Sequence, residues 1–106
     1  MSFRFMRIVV FFDLPSVSSK DLREYRKFRK HLISSGFIML QESVYSKIAL
    51  NATSSKIIID NLEKNKPYDG SIMVLQVTEN QFQNIVYLLG SKNEKYVDSS
   101  ERVVIL

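Results

Sequence analysis

The chain contains no cysteine and a single histidine, His31, among its 106 residues. The absence of cysteine excludes disulfide bonds, thiolate catalysis and cysteine-ligated zinc or iron. One histidine excludes a multi-histidine metal site within one chain and gives no basis for a serine-histidine-aspartate triad. A glycine-rich, phosphate-cradling loop is absent as well. The sequence also lacks an apolar run of membrane-spanning length and a signal-peptide pattern, so we expect a cytoplasmic protein with no membrane partner.

The composition is that of an ordinary globular protein. Hydrophobic residues make up 45% of the chain and aromatic residues 11%, which is too much for a disordered segment. The length predicts a single domain over residues 1–106. The formal net charge of +4 bears on function only if the cations cluster on one surface.

A buried strand is predicted at Met6–Phe12, because its residues are β-branched or aromatic and apolar on both faces. The strand stops at Asp13, which is followed by Leu14 and Pro15. A carboxylate where a sheet gives way to a loop is well placed for a functional role. An aspartate two residues before a proline also suits simple loop capping. The residues alone leave both interpretations of Asp13 open.

The remaining pattern is helix, strand, strand, helix, strand and a C-terminal tail. The predicted spans are a helix at Lys20–Ser35 capped by Ser18 or Ser19 and ended by Gly36, strands at Phe37–Leu40 and Ser43–Leu50, a helix at Ala52–Lys66, a strand at Ile72–Val77, a helical turn at 78–81, an extended or helical run at 85–89, a loop at 90–101 and a final strand at 102–106. This order predicts an α+β, ferredoxin-like βαββαβ fold with an extra C-terminal strand.

A homodimer follows from the apolar character of the predicted sheet. In this architecture the helices cover one face, yet the first and fourth strands are apolar on both. An uncovered face would expose a larger apolar patch than monomers tolerate, so we expect two copies to pack sheet against sheet about a two-fold axis. That axis would bring two Asp13 carboxylates together, a pairing that suits a shared proton or an oxygen-ligated cation such as magnesium. In the alternative, residues 85–89 and the tail fold back over this face and the protein is a monomer.

Cations are segregated on the first predicted helix. Arg23, Arg26, Lys27 and Lys30 share the flank beside the apolar face, with Lys20 at its margin. Arg29 points nearer the core and is expected to pair locally. Such a stripe favours contact with a nucleic-acid backbone. An excess of positive charge on one side of a helix often serves solubility alone, which is the alternative interpretation. Because the RNA-recognition pattern of basic and aromatic residues is absent, no base readout is expected.

Several of these segments together resemble the CRISPR-associated Cas2 family. They are the apolar strand ending in Asp13-Leu14-Pro15, the helix with Tyr25-Arg26-Lys27-Phe28-Arg29-Lys30, the pair Gly36-Phe37 and the run Gln41-Glu42-Ser43-Val44-Tyr45. The resemblance spans nearly the whole chain. It is strongest to the versions from single-effector systems, including the short extension at residues 1–5 and the tail that begins at Arg102.

The resemblance implies a ferredoxin-like homodimer that acts in spacer acquisition. In that role it is the central scaffold that bridges two dimers of an integrase subunit and supports double-stranded DNA. An alternative that the family also implies is a magnesium-dependent endoribonuclease or deoxyribonuclease, with Asp13 as metal-binding and catalytic residue and single-stranded RNA as one substrate. Ser43 and Tyr45 match the second family motif, for which a structural role is one interpretation.

Overall fold

The computed structural model describes residues 5–90. Its elements are, in chain order, β1 (Met6–Asp13), α1 (Ser19–Ser34), β2 (Ile38–Gln41), β3 (Val44–Ala49), α2 (Ala52–Lys64), β4 (Ser71–Thr78) and α3 (Glu79–Gln83). The four strands form one antiparallel sheet in the order β2-β3-β1-β4. The predicted ferredoxin-like βαββαβ fold is therefore confirmed. The predicted strand at 102–106, most of the loop before it and residues 1–4 lie outside the described residues.

Local capping determines where α1 begins and ends. The Ser18 side chain accepts a hydrogen bond from the Asp21 backbone N–H at 3.0 Å, and the Asp21 carboxylate accepts one from the Ser18 backbone N–H at 3.1 Å. The same Ser18 N–H holds the pKa of Asp21 below its usual value. At the other end, Gly36 has φ 96°, a left-handed conformation that glycine adopts at low cost. The N–H groups of Gly36 and Phe37 then satisfy the last carbonyls of the helix.

Helix α2 is shorter than the sequence pattern predicts. It starts at Ala52, as expected, with Asn51 as its cap, but ends at Lys64 rather than Lys66. Pro67 disfavours helical geometry in the residue before it, so the last two predicted positions leave the helix. The strands β2 and β3 also differ from their predicted bounds by one residue at each end. No helix within residues 5–90 is long and apolar enough to cross a bilayer.

The hydrophobic core lies between α1, α2 and one face of the sheet. Strand alternation places Ile8, Val10 and Phe12 of β1 on this face, and all three are buried. Leu22 and Ile33, which the helical spacing groups with the apolar residues of α1, are instead 39% and 48% exposed. They lie at the margin of the stripe, whose buried members are Phe28 and Leu32. The buried core comprises Ile8, Val10, Phe12, Phe28, Leu32, Phe37, Tyr45, Ala49 and Leu62.

The opposite face of the sheet, here called the open face, carries no long helix. Strand pairing places Val9, Phe11, Met73 and Leu75 there side by side. The segment after β4 turns back over part of this face. Residues 85–89, for which the sequence left an extended and a helical run open, form neither a helix nor a strand of the sheet. Val9 is covered, but Met73 and Leu75 remain 63% and 49% exposed. In the described chain, β4 thus leaves apolar side chains of the open face uncovered, as expected for a strand that is apolar on both faces in a sheet with helices on one side.

The loop before β4 approaches the end of β1 closely at Gly70. This residue has φ 106°, and an added Cβ atom would lie 2.7 Å from Leu14 Cδ2 and 3.0 Å from the Asp13 carbonyl oxygen. Both distances are shorter than normal contacts, and the φ value is one that residues with a side chain rarely adopt. A side chain at this position must therefore move either the loop or the strand end.

We expect Gly70→Ala to destabilise the fold by about 1–3 kcal/mol, since it combines backbone strain with a steric clash. Urea unfolding followed by circular dichroism measures this change. Ser71→Ala, one residue further along, is the matched control and should cost less than half as much. Equal stabilities for Gly70→Ala and the unmodified protein would contradict the close approach.

Candidate nucleic-acid interface and strand-end carboxylate

Asp13 is the last residue of β1 and its side chain is exposed. It lies opposite Ser71 of β4, and beside it is the turn between β2 and β3. The Phe12 backbone N–H donates to the Ser43 carbonyl oxygen at 3.1 Å. Ser43 itself has φ 63°, which places strained backbone next to the end of β1. The sequence-based placement of Asp13 at the end of the strand is therefore correct.

The ring of Phe12 holds the end of β1 against the rest of the fold. It stacks on the Tyr45 ring at 5.7 Å between centroids and packs edge-on against Phe28 at 5.3 Å. Tyr45 is 2% exposed, and its hydroxyl accepts a hydrogen bond from Arg29 Nε at 3.0 Å. A buried tyrosine hydroxyl needs such a partner. The two residues of the second family motif, Ser43 and Tyr45, thus hold Phe12 through its backbone and its ring.

The described residues do not assemble a complete ligand set for a divalent cation. Within residues 5–90, no three histidine, cysteine, aspartate or glutamate side chains come close enough together to hold a metal. Magnesium is bound through one or two carboxylates with waters and substrate phosphates. Asp13 is the residue that would supply such a carboxylate, with waters and substrate phosphates as the other ligands.

The four predicted nucleic-acid-binding residues all lie on the exposed side of α1. Arg23, Arg26, Lys27 and Lys30 are solvent-exposed, and none forms a salt bridge with another residue of the described range. Arg29 is set apart from them because its guanidinium binds Tyr45, as the helical pattern predicts. Four uncompensated cations on one helix face form a surface suited to phosphate groups. We call this set the α1 basic stripe.

The chain after α2 lies beside the α1 basic stripe, an arrangement that sequence reasoning missed. Lys27 lines a small cleft with Glu24 of its own helix, with Lys64 at the end of α2, and with Lys66, which pairs with Glu63. Lys20 places its Nζ atom 4.6 Å from the centroid of the Tyr68 ring. The signal available in the sequence was Tyr68, an aromatic residue that directly follows Pro67. Lys20 of α1 lies 48 residues before Tyr68 in the chain, so the local sequence pattern could not show that the two are in contact.

A charged cluster fastens α3 to the open face. Arg7 donates to the two Glu79 carboxylate oxygens at 2.8 and 2.6 Å and to Ser46 Oγ at 3.3 Å. Its guanidinium carbon lies 4.1 Å from the centroid of the Phe82 ring. Arg7 is only 9% exposed, and its bidentate pair with Glu79 compensates the buried positive charge. The cluster fixes the path of the chain as it turns back over the sheet.

Beyond this cluster the open face retains an apolar groove of about 460 Å³. Phe11, Val44 and Leu75 form part of its floor, and Ile85 and Tyr87 form part of one wall. Residues 85–89 therefore cover the face only in part, since Val86, Leu88 and Leu89 have most of their surface exposed. Of the folded-back alternative, the part that concerns residues 85–89 is thus met by a partial cover, while the tail that it also requires lies outside the described residues.

The sequence of this chain is similar to those of several known proteins. The profile of the family described as CRISPR associated protein Cas2 matches residues 6–85. A protein from Treponema denticola is 46% identical over 101 residues, covering 95% of this chain and all of the relative. Proteins from Streptococcus mutans serotype c (strain UA159) and Ligilactobacillus salivarius are 44% and 42% identical, with 95% of this chain covered and 93% and 100% of the relatives. All three carry the name CRISPR-associated endoribonuclease Cas2. A family match over most of the chain, together with relatives this similar over almost their full length, shows that the chain belongs to the Cas2 family of CRISPR-associated proteins.

Proposed function

We propose that this protein is a homodimeric DNA-binding scaffold of CRISPR spacer acquisition. In this proposal it holds double-stranded DNA by its backbone and bridges two dimers of the integrase subunit. The observation that carries the DNA-binding part is the α1 basic stripe, whose four cations are exposed and have no ion-pair partner among the described residues. Membership of the Cas2 family supports the role in spacer acquisition.

The homodimer is supported by the open face. Met73, Leu75 and Ile48 lie on it with 63%, 49% and 45% of their surface exposed. Neighbouring exposed apolar side chains of this extent are typical of an interaction surface rather than of a monomer. A second copy offers a matching apolar face, and a two-fold axis makes one surface complementary to itself.

We expect the purified protein to sediment at twice its chain mass of 12.3 kDa. Leu75→Asp should shift it to the single-chain mass at micromolar concentration, because a buried, unpaired carboxylate opposes burial of the face. Ile57→Asp is the control, since Ile57 is 56% exposed on α2 and away from this face. Analytical ultracentrifugation measures both. A monomeric unmodified protein would contradict the dimer.

Backbone binding by the α1 basic stripe has a quantitative signature. A protein that neutralises phosphates releases condensed counterions, so its affinity falls with salt by a slope of about −0.9 per phosphate for duplex DNA. The four cations lie exposed on the surface of α1 and not in a pocket, so nothing holds them in the fixed orientation that contacts with base edges require. We therefore expect strong salt dependence and weak sequence preference.

Replacing Arg23, Arg26, Lys27 and Lys30 by glutamine should weaken duplex binding and flatten the salt slope. If each cation contacts one phosphate, the slope falls by about 3–4 per protomer. Fluorescence anisotropy with a labelled duplex at several salt concentrations measures this. The control Lys56→Gln removes an exposed lysine that pairs with Asp60 on α2 and should leave the slope unchanged. An unchanged slope in the quadruple variant would exclude the α1 basic stripe as the DNA surface.

A second candidate function is a magnesium-dependent endoribonuclease that uses Asp13. The names of the relatives favour it, and Asp13 is exposed at the end of β1. The described part of one chain offers Asp13 without a cluster of further ligand residues. In this candidate the other ligands are waters, substrate phosphates and the Asp13 of a second copy. A bound divalent ion would supply a nucleophilic hydroxide and charge stabilisation.

Under this second candidate, Asp13→Asn should abolish cleavage of single-stranded RNA, as should a chelator. The melting temperature should change by less than about 2 °C, because an exposed side chain contributes little to stability. Asp60→Asn on α2 is the matched control and should cleave normally. Cleavage that persists in Asp13→Asn would assign the activity to a contaminant. Duplex binding by Asp13→Asn should equal that of the unmodified protein, which separates the two candidates.

A further inference from the structure

Tyr68 is an exposed aromatic residue at the edge of the α1 basic stripe. It lies in the loop between α2 and β4, and 63% of its surface is accessible. Lys20 stands over its ring, with Nζ 4.6 Å from the centroid. Lys20 and Lys27 lie two turns apart on the same side of α1, so the ring is continuous with the basic surface. An aromatic ring beside aligned cations is the arrangement that proteins use to stack unpaired bases.

A cleft of about 350 Å³ opens beside this ring. Its apolar lining includes Ile59, Ile72 and Val74, and its polar lining includes Asp69 and the ion pair of Lys66 with Glu63. Pockets of this size with an apolar floor and a few polar groups are suited to flat organic ligands. A carboxylate such as that of Asp69 can accept a hydrogen bond from an exocyclic amino group.

The loop that carries Tyr68 is held in position by its neighbours. Pro67 restricts the backbone immediately before the ring, and Gly70 packs against Leu14 and the Asp13 carbonyl. A stacking surface on a fixed loop loses less conformational entropy on binding than one on a free loop. The ring and cleft are therefore already in place before a ligand arrives.

We propose that Tyr68 and this cleft form a subsite for one unpaired nucleobase of a DNA strand that continues from the duplex bound on the α1 basic stripe. Lys20 takes the phosphate flanking that base. The inference rests on the proposed DNA-binding function and adds an unpaired base to its ligand. A paired base cannot enter, because its faces are covered by stacking within the duplex.

Two probes test the subsite: a labelled duplex with a single-stranded deoxycytidine extension, whose bases carry an exocyclic amino group, and the same molecule with abasic sites in the extension. The unmodified protein should bind the base-containing probe at least five-fold more tightly, given the stacking contribution of an aromatic residue. Tyr68→Ala should remove this preference, whereas Tyr68→Phe should retain it because the ring is preserved. Fluorescence anisotropy at fixed salt gives the affinities.

The controls separate this inference from the proposed function. Tyr68→Ala should bind a blunt duplex as the unmodified protein does, and its circular dichroism melt should be unchanged, because the side chain is exposed. Equal affinity of the unmodified protein for both extended probes would overturn the subsite while leaving duplex binding intact. A preference that survives Tyr68→Ala would overturn it as well. A base preference seen only with an RNA extension would overturn the assignment to DNA.

Discussion

The packing of Phe12 is the interaction on which the rest of this structure depends. Its ring contacts α1 through Phe28 and β3 through Tyr45, so one side chain joins the central strand to the basic helix and to the second family motif. Aromatic contacts of this kind add to the free energy gained by burial alone. The carboxylate of Asp13 follows directly in the chain. The position of the acidic strand end relative to the basic helix is therefore set by the hydrophobic core and not by a contact between charges.

A core on one side of the sheet leaves the other side to be covered from elsewhere. The chain does part of this itself, because the segment after β4 turns back and the Arg7 cluster fastens α3 there. What remains is an apolar groove rather than a flat apolar sheet. Shape as well as hydrophobicity then selects what binds, since a groove admits fewer partners than a plane.

Local chemistry explains which parts of the molecule could be predicted from sequence. The bounds of α1 followed from Ser18 and Gly36 because caps act on residues within one turn, and Asp13 was found because the strand before it is strongly patterned. Residues 85–89 could not be assigned to one state, since a short apolar run has no period that separates strand, helix and irregular chain. The surroundings of Tyr68 escaped prediction because its contacts come from residues distant in sequence.

The bidentate pair of Arg7 and Glu79 ties together two positions 72 residues apart. Removing either partner alone takes this bidentate contact from a mostly buried charge, which costs more than the pair itself contributes. A change at one position is thus tolerated only with a compensating change at the other. The two sites are expected to vary jointly as the family diverges, so that a basic residue at position 7 accompanies an acidic residue at position 79.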